Sequence, residues 1–164
     1  FVHVEGVYAE YVGSKAQGSY SLCGGVIGNG PLDASGDGKY FEVKVLRASD
    51  HHADGLCIGV TTRSPDDVKK TPETMNMVSP SWIAGFRNEF WDGTKGLWSN
   101  IPWKNEKLCI GDHVGLLVGH GGLLLVGVNG KVVFRWEGAI DPYAPLYAVV
   151  DLLGNCDAVE LVKG

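Results

Sequence analysis

The 164-residue chain is short of positive charge, and none of it is clustered. Fourteen Lys and Arg face nineteen Asp and Glu, the formal net charge is −5, and Lys69-Lys70 is the only adjacent basic pair. A surface of that sign argues against nucleic acid or an anionic membrane as the main partner. No apolar run approaches the ~18 residues that a membrane-spanning helix needs, so no transmembrane segment is expected. No asparagine stands in an Asn-x-Ser/Thr sequence, which fits an intracellular, cytoplasmic setting in a reducing compartment. The four cysteines (Cys23, Cys57, Cys109 and Cys156) are far apart, with no Cys-x-x-Cys and no paired histidine spacing. No metal site is expected from them. Two disulfides could form. Because Cys57, Cys109 and Cys156 lie in or beside apolar strands, burial as small hydrophobes is the simpler expectation.

What the chain does have is glycine, 24 residues of it, punctuating short apolar runs, with 45% of residues hydrophobic. That mix favours an all-β domain large enough to bury a real core. The clearest stretch is Ile110 to Trp136, which reads as three antiparallel strands. Val114–Val118 leads through Gly119-His120-Gly121-Gly122 to Leu123–Val128. Asn129-Gly130 then closes a two-residue hairpin, both of whose positions need positive φ. In the third strand, Lys131–Glu137, strict alternation puts Val132, Phe134 and Trp136 on one face and Val133 with the charged residues on the other. Leu123-Leu124-Leu125-Val126 is apolar on both faces and needs cover on both, which a neighbouring domain could supply.

Further strands are expected at Val7–Val12, Tyr20–Ile27, Lys39–Arg47 (Phe41, Val43 and Val45 inward), Leu56–Thr62, Leu146–Leu153 and Asp157–Val162. Ser64-Pro65-Asp66-Asp67 has the cap, proline and acids of a helix start, and Thr71-Pro72-Glu73 repeats the signal, so one or two short helical turns are expected. Met75 to Lys107 reads as loop-rich and aromatic, and it holds four of the five tryptophans: Trp82, Trp91, Trp98 and Trp103. Ten to twelve strands without a long helix pack as two antiparallel sheets. A single domain over 1–164 is expected, and because the chain starts at Phe1 it is read as part of a longer protein.

Catalytic patterns are missing. No strand carries the paired carboxylates of a glycosidase, since Glu42 has Lys44 at i+2 and Asp157 and Glu160 fall on opposite faces. Gly119-His120-Gly121-Gly122 lacks the Gly-x-Ser-x-Gly elbow that a hydrolase oxyanion loop accompanies. His51-His52 with Asp54 reads as an exposed loop tip, because adjacent histidines on extended chain point apart. No catalytic residue and no cofactor is expected. The aromatic segment is the remaining candidate. Its tryptophans either cap the sandwich as core or line an edge groove, where Trp, Tyr and Arg concentrate binding energy and Arg63, Arg87 and Asn88 would add polar contacts.

Three stretches then fit one pattern: Gly38-Lys39-Tyr40-Phe41-Glu42-Val43, Gly55-Leu56-Cys57-Ile58-Gly59-Val60, and Gly111-Asp112-His113-Val114-Gly115 with Val128-Asn129-Gly130. In order and spacing they resemble the SPRY superfamily. The run Pro145-Leu146-Tyr147-Ala148 to Val159-Glu160-Leu161 is similar to the Neuralized homology repeat, a SPRY-like module. The resemblance implies a bent, concanavalin-like antiparallel β-sandwich without catalytic activity that binds a protein or peptide, in substrate recruitment for a ubiquitin ligase or in a scaffold. In SPRY proteins linked to SOCS boxes a Trp-Gly-x-Cys corner belongs to the peptide groove. Leu153-Gly154-Asn155-Cys156 falls on that corner, with Leu153 in the tryptophan's place. The expected partner-binding set is therefore Arg63, Trp82, Phe86, Arg87, Asn88, Phe90, Leu153, Gly154 and Asn155. A sandwich binding carbohydrate or a lipid headgroup, and a structural domain packed on a neighbour, are the alternatives. The sequence leaves oligomeric state open.

Overall fold

The computed structural model describes residues 2–12, 23–49, 54–138, 140–152 and 154–164. Among the described residues fourteen strands form. In chain order they are β1 (Val2–Glu5), β2 (Tyr8–Tyr11), β3 (Gly25–Ile27), β4 (Ala34–Ser35), β5 (Gly38–Ala48), β6 (Cys57–Thr61) and β7 (Ser81–Phe86). The rest are β8 (Glu89–Asp92), β9 (Leu97–Asn100), β10 (His113–Gly119), β11 (Leu123–Val128), β12 (Lys131–Glu137), β13 (Tyr147–Asp151) and β14 (Cys156–Lys163). The first sheet runs β1-β2-β14-β5-β10-β11-β12, with β4 on β5, and the second runs β3-β13-β6-β7-β8-β9. All the pairings are antiparallel. This is the bent β-sandwich that the strand pattern calls for.

The core lies between the sheets and follows from alternation. Phe41, Val43 and Val45 of β5 point inward beside Val114, Leu116 and Val118 of β10 and Leu124 and Val126 of β11. Opposite them stand Ile58 and Val60 of β6, Trp82 and Ala84 of β7, and Phe90 of β8. Leu124 and Val126 are thus covered within this domain, while Leu123 and Leu125 are half-buried on the outer face.

Four expectations change. The alternation in β12 breaks, because the β11–β12 register slips between Val126 and Gly127. One extra residue, Val133, is accommodated as a bulge. Val132 therefore turns to solvent at 62% exposure, and Val133 joins Phe134 and Trp136 against the core. Second, the aromatic segment is not loop-rich. β7, β8 and β9 form a regular meander within it. Third, the second helical turn begins later than Thr71-Pro72-Glu73: Ser64 precedes a 3₁₀ turn over Pro65–Asp67 as expected, but the next turn is Met75–Met77, after Thr74. Fourth, Cys57 and Cys156 are buried but Cys109 is exposed.

The second sheet is apolar on both faces. Cys57, Ile83, Phe86 and Val149 point outward and are covered by Met75, Val78 and Val68 from the segment between β6 and β7. Met75 reaches this face because residue 25 is glycine. A β-carbon there would stand 2.0 Å from the Met75 sulfur. The backbone N–H of Met75 donates to Asp151 Oδ2 at 3.0 Å, pinning the cover to β13.

Trp82 is 6% exposed, and its indole N–H donates to Thr94 Oγ1 at 3.0 Å. Trp82→Ala should cost about 3–5 kcal/mol, as for a large aromatic lost from a packed core. Trp98→Ala, at an exposed position, should cost about 1 kcal/mol. Urea denaturation of the two variants checks the contrast.

Candidate functional site

The cover over the second sheet presents Thr74 and Asn76 on one side, and the β7–β8 hairpin stands on the other. Between them opens a cleft of about 320 Å³ lined by Asp54, Thr74, Asn76, Phe86, Arg87, Glu89 and Trp98. Its apolar wall is built by strand pairing. Trp91 of β8 pairs with Trp98 of β9, which puts both indoles on the outer face, 4.9 Å apart. Phe86 meets Trp98 edge-on, with ring centroids 5.3 Å apart. Trp98 keeps 41% of its surface exposed.

The polar floor is a buried carboxylate. Asp54 is 1% exposed. Its Oδ1 accepts the backbone N–H of Arg87 at 2.6 Å, while Oδ2 has no hydrogen-bond partner among the described residues. Arg87 and Asn88 both sit at positive φ, 46° and 59°, as a tight hairpin requires of its two central residues. Arginine adopts that conformation less readily than asparagine, and the bond to Asp54 holds it there. Asn88, with its amide turned to satisfy its neighbours, donates to the Trp103 carbonyl and to Glu106 Oε2 at 2.8 and 3.0 Å. The Asp54 carbonyl accepts the N–H of Asn155 at 2.6 Å, and Asn155 Nδ2 donates to the Glu106 carbonyl at 3.1 Å. Gly154 has to be glycine, since a β-carbon would lie 2.0 Å from the Asp54 carbonyl oxygen. Burial pushes the Asp54 carboxyl up to about 6; the Arg87 N–H opposes the rise, and the carboxylates of Glu106 and Glu89 add to it.

Of the expected partner-binding residues, Phe86 and Arg87 line this cleft. Asn88, Gly154 and Asn155 lie behind it and fix its floor. Trp82 and Phe90 are core residues, 6% and 1% exposed, because β7 and β8 are regular strands. Arg63 belongs to a different groove, with Asp67, Lys69 and Lys70, where its Nε donates to the Ser79 carbonyl at 2.9 Å. Leu153, like His51 and His52, lies outside the described residues. Asp54 is buried where an exposed loop tip is expected. Sequence reasoning missed it as a site residue, together with Glu89, Thr74 and Asn76. Trp98 stood among the aromatics without being singled out.

A second hollow of about 230 Å³ lies on the outer face of the first sheet, over Gly115 and Gly127. There Glu42 accepts from the Tyr40 hydroxyl at 2.5 Å and pairs with His113 Nδ1 at 2.6 Å. These two bonds hold the Glu42 carboxyl below its ordinary range, and burial first, then the Glu42 contact, pushes the Tyr40 phenol up to about 12. With both carboxylate oxygens engaged, this hollow offers a ligand less unmet chemistry than the cleft.

A sequence profile described as Neuralized matches residues 17–163. The chain belongs to the Neuralized family. Structural likeness agrees on the fold. The Neuralized NHR1 domain of Drosophila melanogaster superposes with a TM-score of 0.69 at 15% identity, covering 99% of this chain and 92% of that one. A human SPRY domain gives 0.69 at 17% identity, covering 98% and 93%. The PSpry domain of TRIM65 gives 0.59 at 16%, covering 99% and 84%. Neuralized and SPRY domains are, as a class, protein-interaction modules rather than enzymes. Among the described residues no helix of this Neuralized-family domain is long and apolar enough to cross a membrane.

The Asp54 carboxyl gives a pH test. Its folded-state value, about 6, lies above the ordinary 3.8, so the folded chain binds this proton more tightly than the unfolded one. Its contribution to stability is therefore complete below pH ~4 and falls as pH rises toward ~6. Asp54→Asn keeps the acceptor for Arg87 and abolishes the titration. The variant should melt higher relative to wild type at pH 7 than at pH 4. Paired thermal melts across that range measure the difference, and parallel curves would remove the buried charge from the account.

Proposed function

We propose that this Neuralized-family domain binds a segment of a partner protein in the cleft formed by Asp54, Phe86, Arg87 and Trp98. The single observation that carries the reading is Trp98, left 41% exposed over the buried Phe86, beside a buried carboxylate with an unused acceptor. Aromatic anchors beside a few convergent polar groups are what recognition sites concentrate. The elements around them are rigid: two strands and a hairpin tied down by Asp54. Recruitment of a substrate to a ubiquitin ligase or scaffold, in an intracellular setting, is the finer form of this proposal and would use the same cleft. Packing against a neighbouring domain has less support, because Leu124 and Val126 are buried within this one.

The test is affinity capture with the purified domain as bait. Trp98→Ala combined with Asn76→Ala should lose at least about 90% of a specific partner, as removal of a central aromatic anchor does elsewhere, while the domain stays folded. Val132→Glu, on the outer face of the other sheet, should capture the partner as well as wild type. Loss with Val132→Glu and retention with the cleft variant would move the site to the first sheet.

A further inference from the structure

The cleft has a definite chemical polarity, and this inference rests on its partner-binding role. Asp54 Oδ2 is buried without a hydrogen-bond partner among the described residues. A carboxylate oxygen can only accept, so what it lacks is a donor. The Glu89 and Glu106 carboxylates bear on the same carboxyl, so three acidic groups make the locality acidic. A neutral donor such as an amide or hydroxyl would meet the oxygen and leave that charge uncompensated. A metal ion would want several oxygens converging on one point, and the described residues offer no group of three or more ligating side chains. Above the floor stands Trp98, 41% exposed and backed by the buried Phe86, and an indole favours a flat or compact cation against it.

We propose that the cleft takes a cationic side chain, the arginine or lysine of a partner's peptide segment, with its charged end directed at Asp54 and Glu89 and its stem against Trp98. A guanidinium suits the floor best, because its fork of donors can serve a carboxylate and stack on an aromatic ring at once. The site also gives the buried carboxylate a use. An isolated buried charge is costly, and pairing it with a cation of a ligand lowers that cost only in the complex.

The probe is a phage library of random dodecapeptides selected on the whole domain. Selected sequences are synthesised with arginine replaced by citrulline, or lysine by its acetylated form, which keep the shape and remove the charge. The indole N–H resonance of Trp98 reports occupancy of the cleft. The expected result is enrichment of arginine or lysine at one position, a shift of the Trp98 resonance, and binding at least about tenfold weaker for the neutral analogue. Asp54→Asn and Glu89→Gln should each shrink that difference. Two variants are used so that a change in folding at one leaves the other as the test. Peptides that shift Trp98 but carry no basic residue, or bind equally well as citrulline analogues, overturn the cation assignment and leave the partner-binding role standing. Peptides that bind without touching Trp98, or no selectable peptides at all, overturn both.

Discussion

Strands β6 and β7 carry apolar side chains on both faces, so the second sheet has to be covered twice. The first sheet supplies one cover through the main core. The other comes from the chain between β6 and β7, which folds back so that Met75, Val78 and Val68 lie over Cys57, Ile83 and Val149. Two 3₁₀ turns are enough for this because Gly25 lets Met75 settle close to the sheet and Asp151 fixes its backbone. The cleft is a by-product of that arrangement. It opens where the cover ends, beside Thr74 and Asn76, over aromatic surface that β8 and β9 continue to present.

The cleft floor shows a conflict between stability and use. Asp54 holds Arg87 in a left-handed turn and accepts Asn155 through its carbonyl, so its backbone and one carboxylate oxygen are structural. The second oxygen has no hydrogen-bond partner among the described residues, and the charges of Glu89 and Glu106 work against that of the carboxyl. An asparagine could make the Arg87 contact without that penalty. Local choices that oppose stability are commonest where a protein meets a ligand.

The fold was legible because the first sheet obeys simple rules. Glycine-bounded apolar runs, an Asn-Gly turn and the period of two placed β5, β10, β11 and β12 within a residue or so, and the spacing of Phe41-Glu42-Val43, Ile58-Gly59-Val60 and Val128-Asn129-Gly130 pointed to the family. Local reading failed where tertiary context decides. The bulge at Val133 depends on pairing with β11, which no window of β12 reveals. Trp82 and Phe90 looked like groove residues because aromatics crowd that stretch, but strand register sends them inward and sends Trp98 outward. Two of the seven residues lining the cleft, Phe86 and Arg87, were visible in advance. Asp54 was not, since its importance comes from burial and from a hairpin more than thirty residues away in sequence, and neither leaves a mark beside Asp-Gly in the chain.

The bulge in β12 has a further consequence, for how the domain behaves among copies of itself. Among the described residues β12 is the last strand of the first sheet, and an edge strand invites a strand from another molecule. An extra residue at Val133 interrupts the regular spacing of backbone donors and acceptors, and Lys131, Arg135 and Glu137 line the same strand with charge. An incoming strand would meet a ladder with a missing rung and a charged rail. The slip that moves Val132 out of the core thereby guards the domain against edge-to-edge aggregation, at the expense of one exposed valine.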